Sequence, residues 1–241
     1  MQIVLVRKKI KKINFLLVKF FGIPKQNKKL PNPVDMLIGT ILSQNTNDKN
    51  SYKAYQNLRE KFKNWEEVAS LPQSKIEKLI KVAGLGKQKS AAIKNVLTRL
   101  KKKNGKISLD YLKKFDDKKV INELIMFDGV GIKTASCVLL FSMNRNICPV
   151  DTHVHRTLNR IGIVKTTTPD KTFNKILGNI PNGMAHQFHT NLIRLGREIC
   201  KPSKPICSIC PLERICTFKF KNFDHKGEYK KNDFMLLDNI K

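Results

Sequence analysis

The 241-residue chain predicts an all-α protein built as two helical lobes. Three observations carry that prediction. Apolar residues recur at three- and four-residue spacing in segment after segment. No stretch keeps the apolar–polar alternation of a half-buried strand. Caps, prolines and glycines fall where helices should start and stop. Hydrophobic residues make up 41% of the chain, which excludes disorder as the dominant state. The length suits one large domain or two small ones.

The N-terminal segment reads as a basic amphipathic helix or arm. Met1 to Ile23 is basic and then apolar, as a signal peptide would be. However, Lys19 interrupts the apolar part and no small-residue cleavage site follows. The segment is also Lys-rich and free of Ser, unlike an organellar transit segment. Asn32-Pro33 supplies an N-cap and a first-turn proline for a helix through Met36, Leu37, Ile38, Ile41 and Leu42. The polar stretch 43–48 interrupts it before a helix through Tyr52, Tyr55, Leu58 and Phe62. Further helices are expected over 65–69, 74–82, 88–101 and 109–114. Val120, Ile121, Leu124 and Ile125 mark one helix face, and Ile132, Ala135, Leu139 and Met143 another. Asp151 caps a helix over 152–161, Thr168-Pro169 starts one more, and 184–198 runs into a cysteine cluster. A basic tail follows, and no low-complexity linker separates the two lobes.

Charge narrows the partner. Lys plus Arg number 47 against 19 Asp plus Glu, a formal +28 with a pI near 10.0. Self-repulsion of that size points to a polyanion, nucleic acid before an acidic membrane surface. Lys outnumbers Arg by 38 to 9, so part of the charge is a solvated coat. Aromatics are 7% with a single Trp65, which argues against a row of base-stacking rings. No apolar run approaches 18 residues, so no membrane span is expected.

Four of six cysteines fall close together: Cys200, Cys207, Cys210 and Cys216. Cys137 and Cys148 stand in apolar surroundings as ordinary buried thiols. An intracellular, reducing compartment makes the four clustered thiols metal ligands rather than disulfides. Zinc and a [4Fe–4S] cluster both accept four cysteines. Zinc sites usually pair two C-x2-C elements and only one is present, so the spacing leans towards iron–sulfur. Lys201, Lys204 and Arg214 lie between or beside these ligands, placed to contact phosphate or to offset thiolate charge.

The turn Phe127-Asp128-Gly129-Val130-Gly131-Ile132-Lys133-Thr134-Ala135 joins two amphipathic helices. Two glycines allow a tight reversal with positive φ values, and Val130 can plug the space between the helices. Amide N–H groups at the second helix's start then form an anion site suited to a DNA phosphate. Lys133 sits in that helix's first turn, where a cation opposes the helix dipole. Such a lysine is a phosphate contact or a poised amine nucleophile. His153 and His155 follow Asp151 too closely to share a helix face, so they are not read as a joint metal site.

Together these pieces resemble the helix-hairpin-helix base-excision DNA glycosylases of the endonuclease III family, over roughly residues 30–217. The hairpin 129–135, Val150-Asp151-Thr152-His153 and the 6-2-5 cysteine spacing carry the resemblance. It implies a six-helix barrel at about 35–145, a second lobe in which residues 1–34 pack with 146–217 and a [4Fe–4S] loop sits on Cys200, Cys207, Cys210 and Cys216, a basic tail at 218–241, and a DNA-facing cleft between the lobes. It implies Lys133 as nucleophile and Asp151 as catalytic carboxylate. Gly129, Val130, Gly131 and Thr134 become the phosphate-binding hairpin, and Gln44 or Asn45 fills the gap left by an extruded nucleotide. The implied activity is a bifunctional glycosylase and abasic-site lyase. It would act as a monomer on double-stranded DNA carrying damaged bases, oxidised pyrimidines by default, or abasic sites. A monofunctional mismatch glycosylase and a non-catalytic DNA-binding adaptor are the alternatives. Two positions depart from the family pattern. Phe127-Asp128 replaces the usual Leu-Pro, and Leu195 stands where many members have His. Asp128 would repel a phosphate unless its side chain caps the following helix.

Overall fold

The computed structural model describes residues 2–26, 29–224 and 237–240. Among the described residues it contains eleven α-helices and no strand. They are α1 (Gln2–Phe21), α2 (Pro33–Leu42), α3 (Asp48–Arg59), α4 (Trp65–Ser70), α5 (Gln73–Ile80) and α6 (Gly86–Asn104). After them come α7 (Asp117–Ile125), α8 (Ile132–Met143), α9 (Thr152–Ile161), α10 (Pro169–Ile176) and α11 (Ala185–Arg194). Two compact units result: a central one of residues 26–145 with 237–240, and a composite one of 2–25 with 146–224. Gln26 and residues 29–34 therefore fall in the central unit, not with the N-terminal arm.

In the central unit α2 is buried from Pro33 to Leu42, as an all-round apolar helix must be. The expected cap is present: the Asn32 side chain accepts from the Val34 amide at 2.8 Å. The buried Asp35 accepts from the Tyr55 hydroxyl at 2.7 Å and pairs with Arg59 at 3.5 Å. Burial, the largest influence, still pushes its carboxyl above the usual range. Gly39 of α2 admits the buried Ile240, whose side chain occupies the place of a Cβ there. Within the stretch expected as a basic tail, Ile240 thus packs on α2. Residues 225–236 and Lys241 of that stretch, like Met1, lie outside the described residues.

In the composite unit α1 buries Ile10, Ile13, Leu17 and Phe21. Side chains of α11 cap its C-terminal carbonyls: Asn191 donates to Gly22 O at 3.1 Å and Arg194 to Phe21 O at 3.0 Å. Two expected helices change form. Residues 110–114 are a 3₁₀ turn, and α11 stops at Arg194, after which 195–199 widen into a π turn. The π turn brings Gly196 against α9, where a Cβ would stand 2.7 Å from His153 Cβ.

Candidate catalytic residues and nucleic-acid interface

The hairpin of the central unit follows from its two glycines, but only one bends as expected. Gly129 has φ +77°, and a Cβ there would come within 3.0 Å of Ala92 Cβ. Gly131 instead is extended, φ −97°, because it is the N-cap of α8. No side chain caps α8, so its first-turn amides are left without a side-chain acceptor. A Cβ at Gly131 would meet no protein atom within 4 Å, which leaves that approach open to a ligand. Val130 is buried between the helices as its apolar side chain requires. Thr134 is also buried and accepts from Gln44 Nε2 at 3.4 Å. Val130 and Thr134 can thus meet a phosphate only through backbone amides. Lys133, in the first turn of α8, is half-buried and has no hydrogen-bond or ion-pair partner among the described residues.

One face of α6 assembles the loops around this hairpin, with residues at helical spacing 89, 92, 95 and 99. Lys89 Nζ donates to Leu42 O and Ala83 O, both at 2.8 Å. Ala92 faces Gly129. Asn95 Nδ2 donates to Asp128 Oδ2 at 2.8 Å. The Arg99 guanidinium donates to Met126 O and lies 5.3 Å from the Phe127 ring centre. Asp128 therefore does not cap α8; it ties the hairpin to α6. Gln44 Nε2 turns inward to Gly129 O at 2.9 Å, leaving Asn45, exposed and at φ +50°, as the outward tip of its loop.

In the composite unit Asp151 is the N-cap of α9, its Oδ1 accepting from the Val154 amide at 2.8 Å. The second carboxylate oxygen has no hydrogen-bond partner among the described residues. His153 and His155 turn to different neighbours. Arg156 donates to His153 Nδ1 at 3.2 Å, and His155 Nδ1 meets the Thr172 hydroxyl at 2.6 Å. Burial lowers the His153 pKa, and a donated hydrogen bond at Nδ1 likewise favours the neutral ring.

Further along α9, Arg156 and Arg160 hold the cysteine loop. Arg156 Nε donates to Cys200 O at 3.0 Å. Arg160 donates to Lys201 O and Pro202 O, both at 2.7 Å, reaches Cys200 Sγ at 3.5 Å, and stacks 4.2 Å from the Phe218 ring centre. The four cysteines are unpaired and line one cavity with Arg160, Ile206 and Phe218. Burial pushes the Cys210 thiol up to about 12 and raises Cys216 as well, so thiolates there need a cationic centre. A single zinc ion needs its sulfurs within about 2.3 Å of one point. No group of three or more Cys, His, Asp and Glu side chains among the described residues could hold one ion. Four thiols lining one cavity are a donor set whose chemistry suits a metal centre. Lys201, Lys204 and Arg214 are exposed around it and have no ion-pair partner among the described residues.

The structure also presents residues that the sequence reading passed over. Leu85 is 46% exposed at φ +50°, an outlier for a non-glycine residue, at the start of α6. The signal was present as Gly84-Leu85-Gly86 before a basic helix. Lys89 gave none, being one of many lysines in a Lys-rich segment. The 195–199 π turn likewise left no mark in the periodicity.

Residues 38–182 match the model of the HhH-GPD superfamily of base excision DNA repair proteins. The chain is 36% identical to endonuclease III of Thermotoga maritima over 193 residues, 80% of this chain and 86% of that protein. It is 32% identical to endonuclease III of Rickettsia conorii, over 82% and 90% of the two chains. A solved endonuclease III, trapped as a covalent intermediate with DNA in an estranged-adenine complex, superposes with a TM-score of 0.74 at 26% identity. That match covers 87% of this chain and 95% of the other. An all-helical fold, a glycine hairpin opening onto an unpartnered lysine, a capped carboxylate and a four-thiol cavity thus sit within a match over most of the chain. The chain belongs to the endonuclease III family of the HhH-GPD superfamily.

Proposed function

We propose that the protein is a base excision repair DNA glycosylase with abasic-site lyase activity, acting on double-stranded DNA that carries damaged bases or abasic sites. The observation that carries this reading is Lys133, half-buried in the first turn of α8 without a hydrogen-bond or ion-pair partner among the described residues, directly after a hairpin with uncapped amides. A phosphate on those amides brings the sugar to the lysine. The target nucleotide leaves the stack, which costs least for a damaged base. The neutral Lys133 amine attacks C1′, and the base departs with the electrons of the glycosidic bond and a proton. The nitrogen lone pair then opens the sugar ring to give an imine. The free oxygen of Asp151 supports positive charge on the sugar and accepts the amine proton. Loss of the 2′ proton expels the 3′ phosphate and cuts the strand. Asn45 and Leu85, exposed at loop tips in left-handed conformation, fill the vacated stack.

Cys200, Cys207, Cys210 and Cys216 would hold a [4Fe–4S] cluster that orders the loop presenting Lys201, Lys204 and Arg214 to the DNA backbone. Borohydride reduction during incubation with abasic DNA is the test. A covalent protein–DNA adduct forms with the wild type and is absent with Lys133→Gln. An undiminished adduct in that variant would remove the assignment. A monofunctional mismatch glycosylase, which uses water as nucleophile, would neither trap nor nick pre-formed abasic DNA.

A further inference from the structure

We propose that Lys89 is a positioning residue that clamps the two DNA-inserting loops, 43–48 and 83–86, into one fixed spacing. The inference rests on the assignment of those loop tips to the gap in the DNA stack. Lys89 is 2% exposed and lies on α6, away from the chemistry of Lys133. It has no ion-pair partner among the described residues; its ammonium donates only to Leu42 O and Ala83 O. Leu42 ends α2 and Ala83 ends a 3₁₀ turn. One cation thereby caps two helical C-termini, where terminal carbonyls and the negative dipole ends favour it; Leu42 O also accepts from the Ser51 hydroxyl at 3.3 Å.

Each capped carbonyl lies just before an exposed, left-handed tip. Leu42 precedes Ser43-Gln44-Asn45 and Ala83 precedes Gly84-Leu85. Fixing both carbonyls to one nitrogen fixes the polar tip relative to the apolar one. Hydrophobic packing alone does not need this arrangement. A buried unpaired charge is costly, and an apolar chain of similar length would fill the space more favourably. The lysine's contribution is to geometry at the cost of stability.

The test uses the full chain, with Lys89→Met as the principal variant and Lys89→Gln as a neutral donor of shorter reach. Three readouts apply: melting temperature, amide hydrogen exchange by segment, and fluorescence of 2-aminopurine opposite an abasic analogue. Lys89→Met should melt at or above the wild-type temperature while exchange accelerates in 43–46 and 83–86 and stays unchanged in 127–131. The fluorescence rise on binding, and base excision with it, should fall about 10²-fold in rate, the effect expected of a misplaced group. Lys89→Gln should lie between. Unchanged exchange and fluorescence in Lys89→Met would overturn the clamp while leaving the glycosylase reading intact. If both variants melt lower with faster exchange throughout, Lys89 is a structural prop and the proposal falls. If the wild type itself gives neither fluorescence change nor borohydride adduct, the functional reading fails and takes the clamp with it.

Discussion

Asp151 divides its two carboxylate oxygens between two jobs. Oδ1 caps α9 through the Val154 amide, and the proposed chemistry falls to the other. The two jobs separate by substitution. Asp151→Asn keeps a capping oxygen and should melt within a degree or two of wild type. Asp151→Ala should lose about 1 kcal/mol, the usual value of an N-cap. Both should lose most of the excision rate, because neither carries the negative charge that supports the sugar cation. An Asn variant with wild-type rate would favour a non-catalytic DNA-binding adaptor. Asp151 was legible in the sequence both as a cap and as a carboxylate next to a helix start. Its second, free oxygen was not, since that depends on which neighbours the fold supplies.

The helix α6 organises the central unit more than any single motif does. Its residues 89, 92, 95 and 99 reach the 43–48 loop, the 83–86 turn and the hairpin in succession. The sequence predicts the helix itself from its apolar stripe, which is the side facing the core. What the other positions touch is set by elements up to several turns away in sequence, so their partners could not be read from periodicity. Gly131 shows the same limit: G-x-G announced a tight turn, while the N-cap position decided that only Gly129 would be left-handed. The Asn95–Asp128 bond is partly exposed, so Asn95→Ala should cost at most about 1 kcal/mol of stability. Its larger effect should be on DNA, because the released carboxylate belongs to the hairpin, three residues before the uncapped start of α8. Affinity for an abasic-analogue duplex, measured by fluorescence anisotropy, should fall several-fold in Asn95→Ala and recover in Asn95→Ala with Asp128→Asn. Failure to recover would show that Asn95 acts through packing instead.

At the scale of the whole molecule, the +28 charge is spread well beyond the proposed contacts at Lys133 and the cysteine loop. If six to ten phosphates are engaged, affinity should fall roughly 10³–10⁵-fold between 50 and 200 mM salt. A titration across that range decides between a broad DNA footprint and a merely solvated coat; a nearly flat response would mean the latter. Fold class and the main helices were legible because capping residues and apolar stripes act locally. The 195–199 π turn and the seat of Ile240 on Gly39 were not, because both arise from distant packing.

The capping of α1 by α11 joins residues 169 and 173 positions apart. A ribosome adding about 5–20 residues per second needs on the order of 10–35 s to span that interval. During that time the Ile10, Ile13, Leu17 and Phe21 face of a strongly basic helix has no α11 to cover it. Until α11 is made, the growing chain is open to aggregation, and to capture by chaperones or nucleic acid, through α1.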